Sequence, residues 1–391
     1  MSKLTLRRAC AAVAAAALAS SCLLAGCAAS ETTSQADSAS SAAEQAAATT
    51  RTVVDSNGNE VEIPAEVTKV APTMGAFAQV TEMLGSGKIS AASTSQISDA
   101  FKAVFTDYEQ SNPESYDSSS VEDIIAAGTQ VVYGPASMYS DEQLAQLEQA
   151  GVAVVALNNI GTVDGLCESI LTIGEILGED EYANAQKFVE YYRAALADGQ
   201  KRAADIPDAE KKTVIQMNIS GGAYTCADDT DISAAYYDAV GAVNVAAGFQ
   251  GAQSGQYRSV DAEQLVAWNP DYIITMNPTA KEQIMADAAL ADVQAVKDGN
   301  VYVCPTALYL WCVRSAEGAL MTPWLGTVIY PEQYADVDMV DVLQNFYAEF
   351  YHTELSDADA AEIVSGATTV TQQGGGQGAG GNGGQGAGRA A

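Results

Sequence analysis

Two related stretches decide the fold: Glu122-Asp-Ile-Ile-Ala-Ala-Gly-Thr-Gln-Val-Val-Tyr133 and Glu263-Gln-Leu-Val-Ala-Trp-Asn-Pro-Asp-Tyr-Ile-Ile274. They align without gaps, and each starts as a short amphipathic helix and ends in an apolar run typical of a buried strand. Ser120 and Asp261 precede them as matching N-cap candidates. The repetition predicts two related α/β halves.

Strand, loop and helix patterns alternate around the first stretch. Residues 67–71 and 152–157 are typical of strands, and residues 141–149 are typical of a helix. Such alternation predicts parallel sheets flanked by helices, with binding sites at the carboxyl ends of the strands. Residues 52–63 predict a β-hairpin around an Asn-Gly pair, and residues 179–206 predict one helix of about 40 Å between the halves.

The two ends of the chain do not have a core-forming composition. Residues 1–26 combine basic residues with a short apolar run that ends in Leu24-Ala25-Gly26-Cys27, which resembles the lipobox of bacterial lipoproteins. The resemblance implies that Cys27 is lipidated; the alternative is an ordinary signal peptide. Residues 27–50 and 367–391 are expected to be a disordered tether and a disordered Gly-rich tail. The predicted lobes are residues 51–178 and 207–366, joined by the helix at 179–206.

Composition excludes several classes of function. The 391 residues carry a formal net charge of -32, which excludes a nucleic-acid partner. One histidine, His352, argues against His-based catalysis and zinc binding, and we expect it on a helix surface. Gly85-Ser86-Gly87-Lys88 does not complete a phosphate-binding loop, because Glu82 stands where that motif needs glycine. We therefore expect no enzyme activity, no cofactor and no bound bare metal ion.

Four cysteines remain after the signal peptide and Cys27 are set aside. Cys167, Cys226, Cys304 and Cys312 allow three pairings, and export permits disulfides. We expect a bridge among Cys226, Cys304 and Cys312, which share one half of the chain.

Several segments resemble one protein family. The opening hairpin, residues 260–274, residues 296–303, Trp311-Cys-Val-Arg-Ser-Ala-Glu317 and Tyr330-Pro-Glu332 resemble the substrate-binding lipoproteins of iron-siderophore, heme and cobalamin ABC importers. The resemblance covers residues 51–366. It implies the class III periplasmic-binding-protein fold, in which two Rossmann-like α/β lobes with parallel sheets are joined by one long helix and bind ligand in a cleft with little closure.

The resemblance also implies where the permease docks. Glu122 and Glu263 match glutamates of the cobalamin binder that dock onto permease arginines. The alternative is that both are first-turn helix glutamates favoured by the helix dipole.

Candidate cleft residues lie in loops that follow the predicted strands. Aromatic faces and a few fixed polar groups suit a bulky chelate, and arginine pairs with carboxylate or catecholate oxygens. The substrate-binding candidates are Thr73, Met74, Tyr139, Tyr224, Arg258, Tyr309, Trp311 and Arg314.

The resulting expectation is a lipid-anchored, exported and monomeric solute-binding component on the outer face of the cell membrane. It would capture a metal chelate, a ferric siderophore first of all, and deliver it to an ABC permease and its ATPase. The alternatives are heme, cobalamin or another metal complex as ligand, or a surface sensor or adhesin module without import.

Overall fold

The structure, a computed structural model, describes residues 49–85, 87–220 and 222–367. The expected signal peptide, Cys27 and nearly all of the tether and tail lie outside these ranges. The described residues belong to one compact unit that begins at Ala48, and within it we call residues 49–178 the first half and residues 207–367 the second half. In the described part of the chain, no helix is both long and apolar enough to cross a membrane.

The first half holds a hairpin and a small parallel sheet. Its strands are β1 Thr50–Val54, β2 Glu60–Pro64, β3 Val70–Pro72, β4 Val131–Gly134 and β5 Ala153–Ala156. The antiparallel pairing of β1 with β2 confirms the predicted hairpin, and β3, β4 and β5 form the three-stranded sheet, with β4 in the middle. Its helices are α1 Gly75–Leu84, α2 Asp99–Val104, α3 Tyr108–Ser111, α4 Val121–Ala126, α5 Asp141–Gln149 and α6 Val163–Leu177.

The long helix predicted between the halves is α7, Glu179–Ala203. It packs against α6 and α1 of the first half. It also packs against two helices of the second half, Ser233–Ala239 and Met321–Ile329. Phe188 and Tyr192 on this helix are fully buried within a core cluster that also includes Phe77 of the first half and Trp311 of the second. Apolar packing therefore runs continuously from one half to the other.

The second half contains a seven-stranded mixed sheet. Its strands are β6 Thr213–Ser220, β7 Ala223–Cys226, β8 Val243–Asn244, β9 Gln253–Ser254, β10 Tyr257–Val260, β11 Tyr272–Thr275 and β12 Val301–Val303. Strands β8, β6, β11 and β12 are parallel, as predicted, whereas β7, β10 and β9 continue the sheet in antiparallel fashion. The expectation of a purely parallel sheet is corrected here, because short connections such as the one between β6 and β7 join antiparallel neighbours.

The remaining elements surround this sheet. Its helices are α8 Ser233–Ala239, α9 Ala262–Trp268, α10 Pro278–Ala286, α11 Gln294–Asp298, α12 Met321–Ile329, α13 Met339–Phe346 and α14 Asp357–Val364. A 3₁₀ helix at Ala316–Leu320 precedes α12, and a π-helical turn at Tyr347–Tyr351 follows α13. His352 ends that turn in the left-handed conformation, with φ 51°, and is exposed as expected.

The repeated stretches fold alike. Helix α4 and strand β4 begin at residues 121 and 131, and α9 and β11 begin 141 residues later in each case. The side chains of Ser120 and Asp261 cap the two helices by accepting backbone N–H bonds from Asp123 and Gln264. The predicted repetition is confirmed at the level of individual residues.

Candidate functional site

Loops at the carboxyl ends of parallel strands carry most of the candidate residues. Thr73 and Met74 directly follow β3, and residues 304–315, which we call the β12 loop, follow β12 and carry Tyr309 and Arg314. This placement agrees with the rule that ligands of open α/β sheets bind at these ends.

Arg314 is the most distinctive group of the β12 loop. It is half-buried and forms no ion pair within 4.0 Å among the described residues. Burial raises the pKa values of Tyr257, Tyr309 and Asp231, and the charge of Arg314 acts on each of these groups in the opposite direction. An unpaired guanidinium next to aromatic rings is suited to an anionic group on a ligand.

Tyr309 and Tyr257 are both half-buried, and the charge of Arg314 acts on each of them. Both side chains keep an accessible part, yet burial raises the pKa of each hydroxyl and outweighs the opposing effect of Arg314. Partial exposure combined with strong desolvation is characteristic of the wall of a cleft. Tyr257 was not among the candidates from the sequence, because it lies on the antiparallel strand β10 and follows no parallel strand.

Acidic groups in the loop after β7 limit the positive charge of the site. Arg258 donates from Nε to Asp228 Oδ2 at 2.6 Å and from its terminal nitrogen to Gln253 Oε1 at 2.7 Å. Although burial opposes it, hydrogen bonds from Thr230 and Arg258 hold the pKa of the Asp228 carboxyl below its usual range. Arg258 thus forms an ion pair with Asp228, whereas Arg314 forms none within 4.0 Å among the described residues.

Tyr224 lies at a separate cavity of about 420 Å³ at the carboxyl ends of β6 and β11. Its hydroxyl donates to Asp287, and burial followed by this carboxylate raises the pKa of Tyr224 to about 12. Asn277 and Gln283 also line the cavity. It offers hydrogen-bonding groups but no cation.

The first half contributes Met74 and, beside it, the buried Thr73. Met74 is half-buried at the N-cap of α1. Thr73 Oγ1 is buried without a hydrogen-bond partner in the described structure and lies where a Cβ on Gly134 would be, at 1.8 Å. Gly134, with φ 153°, is therefore required for the close approach of the β3 and β4 ends.

Tyr139 and Trp311 are placed differently from what the sequence suggested. Tyr139 packs in a core cluster with Val121 and Ile124, and its hydroxyl donates to the Ser118 carbonyl. Trp311 is fully buried. Both side chains are buried in the core because their large rings remove much apolar area from water there. They therefore support the walls of the site and do not face solvent.

A buried carboxylate that sequence reasoning did not single out for the site organises the β12 loop. Glu317 is completely buried and accepts the backbone N–H groups of Leu308 at 3.1 Å and Tyr309 at 3.0 Å. The hydroxyls of Tyr347 and Tyr351 donate to the same carboxylate at 3.2 and 3.4 Å. The available signal was an acidic residue inside the otherwise apolar run from Ala316 to Met321.

The ionisation of Glu317 reflects competition between burial and hydrogen bonding. Burial raises the pKa of Glu317 to about 7, while the two amides, Tyr347 and Trp311 favour the charged form. The Trp311 indole N–H acts on the carboxylate although it makes no hydrogen bond of ordinary geometry.

Gln79 connects this network to the first half. Its Nε2 donates to the Tyr351 hydroxyl at 2.8 Å, and its Oε1 accepts the N–H of Ala316 at 3.2 Å. Gln79 lies on α1, the helix that follows Met74, so one side chain bonds both to the end of the β12 loop and to the C-terminal segment.

Glu122 and Glu263 occupy equivalent exposed positions in the first turns of α4 and α9. One turn further along, Ile125 and Val266 are among the few large apolar side chains that the described structure exposes, at 42% and 39%. The two halves therefore present the same pairing of a carboxylate with an apolar side chain.

The cysteines and potential metal ligands follow simple patterns. Cys167, Cys226, Cys304 and Cys312 are buried free thiols, so the expected bridge is absent from the described structure. Over the described ranges, no group of three or more His, Cys, Asp or Glu residues is arranged to hold a metal ion.

These features define a class of protein. Two α/β halves joined by a long helix, with aromatic and cationic side chains at the carboxyl ends of the strands, form a solute-binding architecture. The chain belongs to the periplasmic binding protein family, whose sequence profile matches residues 68–308. Members of this family are extracytoplasmic, non-enzymatic components of transport.

Individual relatives are distant but cover most of the chain. The molybdate-binding protein MolA of Haemophilus influenzae is 24% identical over 336 residues, which span 79% of this chain and 90% of MolA. An uncharacterized ABC transporter substrate-binding lipoprotein of Bacillus subtilis, YvrC, is 27% identical over 73% of this chain and 87% of its own length. The crystal structure of molybdate-bound MolA superposes with a TM-score of 0.63 at 20% identity, covering 78% of this chain and 99% of MolA, which supports the fold.

Proposed function

We propose that this chain is the lipid-anchored solute-binding component of an ABC importer and that it captures a metal chelate, most favourably a ferric siderophore. The observation that carries the proposal is the unpaired Arg314 beside Tyr309 and Tyr257. A guanidinium binds the carboxylate or catecholate oxygens of a chelate, while the two rings bury its flat faces.

The overall charge of the chain makes this local cation important. A formal charge of -32 repels anions at long range, so an anionic chelate needs local positive charge to remain bound. Because Arg258 is paired with Asp228, we assign that role to Arg314. In this proposal Met74, Tyr224 and Arg258 shape the site, Thr73 lies at its edge, and Tyr139 and Trp311 support it.

An oxyanion such as molybdate is a second candidate ligand. The similarity to MolA over 79% of the chain and the guanidinium of Arg314, which forms no ion pair within 4.0 Å in the described residues, both favour it. Heme and cobalamin remain alternatives with the same fold, and a sensor or adhesin module remains the alternative without import.

A ligand screen of the full-length protein tests the assignment. Thermal unfolding is followed with ferric catecholate and hydroxamate chelates, heme, cobalamin, molybdate and bare metal ions. A ligand at a hundredfold excess over its dissociation constant stabilises the protein by about 2.7 kcal/mol. Stabilisation by ferric chelates supports the proposal, and stabilisation by molybdate alone or by none of the ligands contradicts it.

We further propose that Glu122 and Glu263 dock onto the permease. Their exposure at equivalent positions, each one turn from an exposed apolar side chain, supports contact with a partner that has two equivalent subunits. In the double variant Glu122→Arg plus Glu263→Arg, we expect uptake to be lost and ligand binding to be retained.

The matched control places the same charge change in other exposed first helical turns, as Glu142→Arg plus Glu179→Arg. Uptake should be unchanged in the control. Equal uptake by both double variants would remove the docking role.

The membrane anchor and the lobe boundaries are also proposals. We propose lipidation at Cys27, a tether over residues 27–50, lobes at 51–178 and 207–366 around the helix at 179–206, and a Gly-rich tail at 367–391. The lipoprotein relative YvrC supports the anchor. Cys27→Ser should move the protein from the membrane fraction to the soluble fraction, and continued membrane association would contradict lipidation.

A further inference from the structure

We propose that Glu317 and Gln79 are positioning residues of the binding site: Glu317 holds the tip of the β12 loop through two backbone amides, and Gln79 ties that loop to the helix that follows Met74. The inference rests on the proposed function, in which Tyr309 and Arg314 contact the ligand. It goes beyond that function because neither Glu317 nor Gln79 faces the ligand.

The first step of the argument concerns the loop backbone. Residues 305–311 form a tight antiparallel connection, in which the Trp311 N–H bonds to the Pro305 carbonyl at 3.1 Å and Thr306 pairs with Leu310. At its tip, the amides of Leu308 and Tyr309 point to the two oxygens of Glu317. A carboxylate that accepts two adjacent amides fixes the backbone from which the Tyr309 side chain projects.

The second step concerns the other contacts of the carboxylate. Tyr347 and Tyr351 of the π-helical turn are the titratable side chains that bond to Glu317, and their hydroxyls donate to the same oxygen. Trp311 also favours its ionised form. Burial raises the pKa of Glu317, but these neighbours mainly offer hydrogens, so their hydrogen bonds favour the ionised acceptor.

The third step links the two walls of the site. Gln79 uses both ends of its amide group, donating to Tyr351 and accepting from Ala316. It is 1% exposed, so losing either partner would leave a buried polar group unsatisfied. Because α1 begins directly after Met74, the wall in the first half and the β12 loop are held in one arrangement before ligand arrives.

Hydrogen exchange of the ligand-free, full-length protein tests the proposal. In Glu317→Gln we expect the amides of Leu308 and Tyr309 to exchange about tenfold faster than in the wild type, because an N–H group of the new amide faces an N–H donor. In Gln79→Leu the faster exchange should appear at Ala316. Glu82→Gln is the matched control, since Glu82 is a 4% exposed carboxyl on the same helix as Gln79 whose hydrogen bond to Gly87 lies outside this network.

The pH profile separates positioning from general destabilisation. In a local opening that frees the loop while Glu317 stays buried, only the two amide bonds are lost, and these bonds favour the charged carboxylate. After correction for intrinsic rates, wild-type protection of Leu308 and Tyr309 should therefore fall as pH drops through about 7, where the carboxylate becomes protonated. In Glu317→Gln the protection of these two amides should not depend on pH. The proposal is overturned if Leu308 and Tyr309 are as well protected in Glu317→Gln as in the wild type. It is also overturned if Glu82→Gln reduces their protection as much as Glu317→Gln does.

A binding measurement with a ferric tris-catecholate complex completes the test. Glu317→Gln should weaken binding of this probe about tenfold, and unchanged affinity with a loosened loop overturns the positioning role. If the wild type does not bind the probe, the proposed ligand class fails, whereas the exchange data still decide whether Glu317 holds the loop.

Discussion

The helix–strand unit around Glu122 and the one around Glu263 have nearly the same architecture but different surroundings. Both helices are capped, and their strands have the same lengths at a constant offset of 141 residues. In the segment after β4, Tyr139 is buried in the core. In the segment after β11, Asn277 lines a cavity. The repeated frame is therefore independent of the side chains that the following loops carry.

Large-to-small substitutions in the repeated frame should have the largest effects. Ile124 of α4 and Leu265 of α9 occupy equivalent positions and are 0% and 1% exposed. Ile124→Ala and Leu265→Ala should each lower the free energy of unfolding by about 2–5 kcal/mol, because each leaves a cavity. Urea unfolding measures both changes in free energy. If only one of the two substitutions lowers the free energy of unfolding, the two helix–strand units do not contribute equally to stability.

Glu317 belongs to the second half alone and should add a pH dependence. Its pKa of about 7 in the folded protein lies above the ordinary 4.5, so its contribution to stability is complete below pH 4.5 and is lost as pH rises through 7. The loss amounts to about 3 kcal/mol. Comparing unfolding at pH 5 and pH 8, Glu317→Gln should show a pH effect smaller by this amount, and an unchanged pH effect would contradict the assignment.

Arg314 of the β12 loop and Arg193 of α7 should differ in their effect on ligand affinity. Arg314→Ala should weaken binding of an anionic ligand about 10- to 100-fold, because an unpaired charge that contacts the ligand contributes about 1.4–2.8 kcal/mol. Arg193→Ala, which removes an exposed arginine that forms an ion pair with Asp164, is the control and should leave affinity unchanged. Titration calorimetry with the ligand found in the screen measures both, and equal affinities would exclude Arg314 from the site.

The helix caps should give the smallest effects. Ser120→Ala and Asp261→Ala each remove a side-chain acceptor from the first turn of a short helix, at a cost of about 1 kcal/mol. Thermal unfolding should show similar decreases for both. A clear difference would indicate that one helix depends on its tertiary contacts more than the other.

Local patterns allowed much of the fold to be predicted. Residues 141–149 were predicted as a helix with the bounds that the structure has, because a cap and the apolar spacing mark its ends. The antiparallel part of the second sheet was missed, since its strands β7, β9 and β10 have only four, two and four residues and leave little periodicity to recognise.

The site was predicted less completely, for a physical reason. The rule that sites follow parallel strands located Tyr309 and Arg314, but it does not tell an accessible ring from a buried one. Trp311 and Tyr139 therefore entered the candidate list on the same grounds. Glu317 is connected to Gln79 on α1 through the Tyr351 hydroxyl, and such a relation between distant segments leaves no local pattern in a single sequence.

The C-terminal helices bear on the order in which the chain acquires its structure during synthesis. The Phe105 ring meets the Tyr351 ring edge-on at a centroid distance of 5.2 Å, and Gln79 bonds to the same tyrosine. The first half of the protein, which is synthesised first, therefore lacks one side chain of its core, Tyr351, until that residue has been translated. A nascent chain in this condition cannot complete its core for nearly the whole of its elongation.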